Sequence, residues 1–101
     1  MKTPALPPGE LALLRHVFER HPEIKTARLF GSRAKGTNFD GSDIDLALWG
    51  ELDAVQAESI AAELDELPLP YQYDVKPFHL IELRPLREHI ERVGIIVYSQ
   101  K

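Results

Sequence analysis

Three aspartates and a glycine–serine pair are the residues of this chain whose types and spacing could do chemistry. Asp43 and Asp45 stand two apart in Ser42-Asp43-Ile44-Asp45-Leu46, and the run continues through Leu48 and Trp49 as an apolar, strand-like segment. Side chains two apart on a strand point the same way, so both carboxylates share a face. Like charges that close repel, and one would hold its proton unless a cation intervened; a divalent ion keeps both ionised. Hard oxygen donors of this kind suit Mg²⁺ or Mn²⁺ rather than zinc. Alone, Asp-x-Asp equally describes a turn residue followed by an exposed strand position, so the neighbouring residues have to decide.

Upstream lies Gly31-Ser32-Arg33-Ala34-Lys35-Gly36-Thr37. Gly31 and Gly36 have P-loop spacing, but Thr37 stands where the lysine belongs and the chain turns through Asp40-Gly41 instead of starting a long helix. An EF-hand over Asp40 to Glu51 fails too, because Ile44 and Asp45 fill the fifth and sixth loop positions, which need an oxygen ligand and a glycine. What remains is a strand, Ala27 to Phe30, ending at Gly31-Ser32 where a short helix can begin. Free amides at a helix start bind anions, and glycine lets the backbone approach a phosphate closely. Ser32 also fits an ordinary helix N-cap.

A third carboxylate stands in a second strand. After Leu67-Pro68-Leu69-Pro70, the run Tyr71 to Phe78 is rich in aromatic and β-branched residues, and Asp74 sits in its middle. Asp is disfavoured in strands and costly to bury without partners. Beside Asp43 and Asp45 it would complete a three-carboxylate cradle; on an edge strand it could simply face water.

The pattern Gly-Ser-x-Ala-x-Gly, then Ser-Asp-Ile-Asp-Leu, then an isolated Asp in an apolar strand resembles the minimal nucleotidyltransferases of the DNA polymerase β superfamily. Those proteins are small partners of HEPN-domain proteins, often paired with them as antitoxin and toxin. The resemblance covers nearly the whole chain in length and element order. It implies that Asp43, Asp45 and Asp74 bind two divalent metal ions, with Asp74 near the attacking hydroxyl. It also implies that Gly31 and Ser32 hold the β and γ phosphates of ATP. Arg33 falls inside the motif at a variable position and is an expected phosphate contact.

Around these residues the chain alternates helices and strands. Pro7-Pro8-Gly9 precedes a helix over about 10–20 with Leu11, Leu14, Val17 and Phe18 on one stripe, stopped by His21-Pro22. Strands are expected at 26–30 and 43–49, a helix at 53–66 presenting Val55, Ile60, Ala61 and Leu64, then the Asp74 strand. Pro85 opens a helix over 85–92, and Ile95 to Tyr98 forms a last strand after Gly94. Interleaved elements of this kind predict an α/β (α+β) domain, a small mixed sheet covered by helices, spanning residues 1–101.

The 101 residues suffice for one core but not for a separate acceptor-binding lobe, so a partner should present the acceptor. A formal charge of −4 argues against nonspecific nucleic-acid binding. Zero cysteines and the absence of a long apolar run, with Glu10 and Arg15 interrupting the N-terminal segment, predict a soluble cytoplasmic protein without membrane association. The four histidines read as surface or capping residues, and Glu58, Glu63, Asp65 and Glu66 as a solvated helix face. Trp49 reads as core, while Tyr71 and Tyr73 fit core or interface; the edge near Trp49 and the segment around Tyr71 are the expected partner-facing surface. Three functions from different classes follow. One is transfer of AMP from ATP to a hydroxyl of a HEPN partner, another a nucleotide-binding antitoxin that only occludes that partner. The third is nucleotidyl transfer to a small molecule.

Overall fold

A computed structural model describes residues 6–30 and 44–100. Helix α1 (Pro8–Glu19) starts earlier than the apolar stripe suggests, because Pro8 carries the fixed φ of a first helical turn; Leu11, Leu14, Val17 and Phe18 are its buried stripe. Strand β1 (Ile24–Phe30) follows, and β2 (Ile44–Gly50) resumes the described chain. Helix α2 (Ala54–Asp65) is opened by a capping box: Gln56 N–H donates to Asp53 Oδ1 at 2.8 Å and Asp53 N–H to Gln56 Oε1 at 2.8 Å. Strand β3 (Tyr73–Pro77), a short 3₁₀ turn (Phe78–Leu80), helix α3 (Arg84–Val93) and strand β4 (Ile95–Ser99) complete the order.

The strands form one mixed sheet in the order β3-β2-β1-β4. β1 pairs antiparallel with β2 and β4, whereas β2 and β3 run parallel. Strand alternation then sorts side chains between two layers. Ile44, Leu46 and Leu48 face α1 and α2, where Leu14, Phe18, Ile60 and Leu64 close the main core. Ala47, Trp49 and Phe30 face the other way, against Phe78, Ile81, Leu86 and Ile90 of the 3₁₀ turn and α3. Trp49 stacks on Phe78 with centroids 4.4 Å apart, while the guanidinia of Arg28 and Arg87 cover the outer faces of Trp49 and Phe78. Gly50 ends β2 at φ +145°, where an added Cβ would lie 1.9 Å from the Glu23 carbonyl oxygen.

Four details differ from the sequence reading. Val55 is exposed, and Ala57 takes its place on the buried face of α2, because Ala57, Ile60 and Leu64 follow the three- and four-residue helical step whereas Val55 stands five before Ile60, off that stripe. Trp49 lies on the interior strand β2 and is covered by its stacking partners, so it marks no exposed edge. His21 is half-buried between Glu63, at 2.5 Å from its Nε2, and Glu23, at 3.6 Å from its Nδ1. Glu63, also paired with Arg20, therefore fastens α2 to the end of α1 instead of joining Glu58, Asp65 and Glu66 in solvent.

Candidate active site

Asp45 is the second residue of β2 and Asp74 the second residue of β3. Because these strands are parallel and in register Ile44↔Tyr73, Asp45↔Asp74, Leu46↔Val75, the two carboxylate-bearing residues are direct neighbours on the sheet's second face. Adjacent strands lie about 4.8 Å apart, so the side chains start from backbones at that spacing. A backbone hydrogen bond from Ile44 N–H to the Gln72 carbonyl, 2.8 Å, pins the start of β2 to β3 and hence the register. Tyr71 adds a tertiary anchor: its hydroxyl donates to Glu10 Oε1 at 2.6 Å and its ring meets Tyr73 edge-on at 6.4 Å. Both tyrosines thus serve packing of β3 onto the main core.

On its other side Asp45 pairs with Phe30, the last residue of β1. Three strands therefore meet at one end of the sheet: β1 finishes there, and β2 and β3 begin. Gly31 is bonded to Phe30 and Asp43 to Ile44, so the chain passes through this end in both directions. Gly31, Ser32, Arg33 and Asp43, with the short helix expected after Ser32, lie outside the described residues.

Asp45 is half-buried, whereas the Asp74 side chain, on edge strand β3, is 51% exposed. Lys76 shares the face of Asp74, and its Nζ is ion-paired with Asp74 Oδ2. The spacing was readable in the sequence as a lysine two residues after the aspartate on a strand, yet the sequence reading assigned Lys76 no part.

Among the described residues no three His, Cys, Asp or Glu side chains form a metal-sized cluster. The two described carboxylates nonetheless suit a hard divalent cation: both are oxygen donors, they are register partners, and an ammonium already stands against one of them as a cationic substitute. Among the described helices none is long and apolar enough to cross a membrane.

A four-stranded mixed sheet with helices on both faces and paired acidic residues at one sheet end defines a class. Residues 13–101 match the family described as Polymerase beta, Nucleotidyltransferase, and the chain belongs to that family. Across 94 residues it is 28% identical to the Haemophilus influenzae protein named "Probable protein adenylyltransferase MntA", a match spanning 91% of this chain and 82% of the relative. Two solved structures share the fold. One, a toxin–antitoxin with AMP-PNP, superposes with a TM-score of 0.74 at 22% identity over 95% of this chain and 76% of that one. The other is the MNT antitoxin complex with a tri-AMPylated HEPN toxin of Shewanella oneidensis. It superposes with a TM-score of 0.68 at 18% identity over 90% and 71% of the two chains.

Proposed function

We propose that this chain, over residues 1–101, is a cytoplasmic nucleotidyltransferase domain that transfers AMP from ATP to a hydroxyl of a HEPN-domain partner and thereby acts as its antitoxin. The observation that carries the proposal is the register pairing of Asp45 with Asp74 in a member of the polymerase β nucleotidyltransferase family. The relative's name and the AMPylated HEPN toxin among the related structures support AMP as the group transferred and a HEPN protein as its acceptor.

In this proposal Asp43, Asp45 and Asp74 hold two Mg²⁺ ions, or Mn²⁺, and Gly31, Ser32 and Arg33 hold the phosphates. Bound divalent cations supply charge for the triphosphate and leaving group and lower the pKa of the acceptor hydroxyl. The remaining work falls to the chain. Backbone amides at Gly31 and Ser32 bind phosphate oxygens where the glycine admits close approach. Half-buried Asp45 is held on β2 between β1 and β3. Asp74 sits on the solvent-open edge, where an acceptor from a second protein can reach it and its hydroxyl proton can leave. The acceptor oxygen then bonds to the α-phosphorus as the bond to pyrophosphate breaks.

The test is equilibrium titration of ATP against the protein in Mg²⁺ and then in EDTA, repeated with Gly31→Val, which blocks the close approach of phosphate to the backbone, and with Asp45→Ala. Binding that requires Mg²⁺ and weakens in both variants is expected, because a triphosphate meeting three carboxylates is repelled unless cations intervene. Equal affinity in Mg²⁺ and EDTA would overturn the metal-site assignment.

A further inference from the structure

We infer that Lys76 is a built-in counter-cation of the aspartate pair: it holds Asp74 in the metal-free protein and must be displaced when a divalent cation takes that carboxylate. The inference rests on the nucleotidyltransferase reading above and adds a residue to its site.

Strand geometry supplies the arrangement. Asp74 and Lys76 are two apart on β3 and share the second face, where their register partners on β2 are Asp45 and Ala47. These four side chains form a square in which two are anionic, one is cationic and the fourth is a methyl group. Ala47 is fully buried and offers neither charge nor hydrogen bond. Lys76 Nζ is ion-paired with Asp74 Oδ2, along its own strand. Like charges directly opposite one another weaken a strand pair, so a positive charge belongs at this position with or without metal.

Exposure makes the contact exchangeable. The Lys76 side chain is 40% exposed and that of Asp74 51%, and ion pairs this open to water are weak. A buried pair would close the site permanently; this one can be broken by a stronger cation. Lys76 has somewhere to go, because it also lines a groove of about 350 Å³ between α2 and the 3₁₀ turn, with Ala57, Val75, Leu80 and Leu83.

The consequence is a threshold. A bare divalent cation meets a carboxylate whose charge is already partly balanced, and binds weakly. A cation arriving with a triphosphate brings phosphate oxygens as additional ligands, which outweigh one lysine. Lys76 thereby couples metal binding to nucleotide binding and keeps the empty site from filling with metal alone.

The experiment compares wild type, Lys76→Met and Lys76→Arg. Bound Mn²⁺ is measured from the electron paramagnetic resonance signal of the free ion, first without nucleotide and then with a non-hydrolysable ATP analogue. Methionine keeps the stem and removes the charge; arginine keeps the charge. Without nucleotide, Lys76→Met should bind Mn²⁺ on the order of tenfold more tightly than wild type, whereas Lys76→Arg behaves like wild type. With the analogue present the difference should shrink. Mn²⁺ affinity in Lys76→Met equal to or weaker than wild type, in a protein that still binds Mn²⁺ and the analogue, overturns the role of Lys76 and leaves the site standing. Failure of all three proteins to bind either ligand overturns the nucleotidyltransferase site together with this inference.

Discussion

Asp45 on β2 and Asp74 on β3 are register partners across a parallel strand pair, each the second residue of its strand. Like charges directly opposite one another weaken a strand pair, and this pair lies at the sheet end where β1 finishes and β2 and β3 begin.

Replacing one member by its amide relieves the repulsion and keeps a side chain that can hydrogen-bond, so it should leave the metal-free fold standing. Asp45→Asn is expected to leave stability in EDTA unchanged or raise it by about 0.5 kcal/mol. It should also remove most of the rise in melting temperature that Mg²⁺ gives wild type. Thermal melts in EDTA and in Mg²⁺ measure both effects. A large loss of stability in EDTA would assign Asp45 to the fold instead.

Gly50 offers a purely structural test of the β1–β2 register. Any side chain there meets the Glu23 carbonyl and must also adopt φ +145°. Gly50→Ala should cost at least about 2 kcal/mol in urea denaturation. A cost near zero would show that the start of β1 can move away from β2.

Glu63 makes stability depend on pH. Burial acts to raise its pKa, but hydrogen bonds from Arg20 and His21, together with their charge, outweigh that and hold it below the ordinary 4.5. A carboxylate lowered in the folded state stabilises the fold above its unfolded pKa, and that contribution is lost as pH falls through the lowered value. Wild type should thus lose stability below about pH 4.5 more steeply than Glu63→Gln, as followed by denaturant midpoints across that range. Parallel pH profiles would mean that the cluster at the end of α1 contributes nothing through ionisation.

Capping supplies a fourth check. Asp53→Ala removes one arm of the Asp53/Gln56 box and should cost about 1 kcal/mol, seen in the same denaturation assay. No change would show that α2 is held by its packing and its Glu63 contacts without help from the cap.

What the sequence made legible was local. Leu11, Leu14, Val17 and Phe18 announced α1, the β-branched run at Ile95 to Tyr98 announced β4, and an aspartate in the middle of an apolar strand drew attention to Asp74. Register was not legible, since nothing in the runs 44–50 and 73–77 dictates that Asp45 should face Asp74 rather than a neighbour one step along. That is fixed by the Ile44–Gln72 hydrogen bond and by the Tyr71–Glu10 contact between residues far apart in sequence. The His21–Glu63 pair is equally remote, so a sequence with no alternation to expose it gave no reason to move either residue from the surface. Two signals were present but local enough to have been used. Asp53-Ala-Val-Gln56 fits a capping box and marks where α2 starts, and the two-residue step from Asp74 to Lys76 puts a cation beside the carboxylate.

Transfer and association should separate. Asp74→Asn removes a carboxylate at the proposed acceptor side but little of the roughly 800 Å² per partner that an ordinary interface buries, so the variant is expected to retain the proposed HEPN partner while losing transfer. Co-purification of wild type and variant with that partner provides the material.

AMP transfer is read from the intact mass of the proposed HEPN partner after incubation with wild-type protein, ATP and Mg²⁺, with Asp74→Asn and EDTA as controls. A gain of one or more adenylate units is expected with wild type in Mg²⁺ and none in either control. A partner whose mass stays unchanged while the complex still forms would contradict it, and would leave the chain as a subunit that occludes its partner without modifying it.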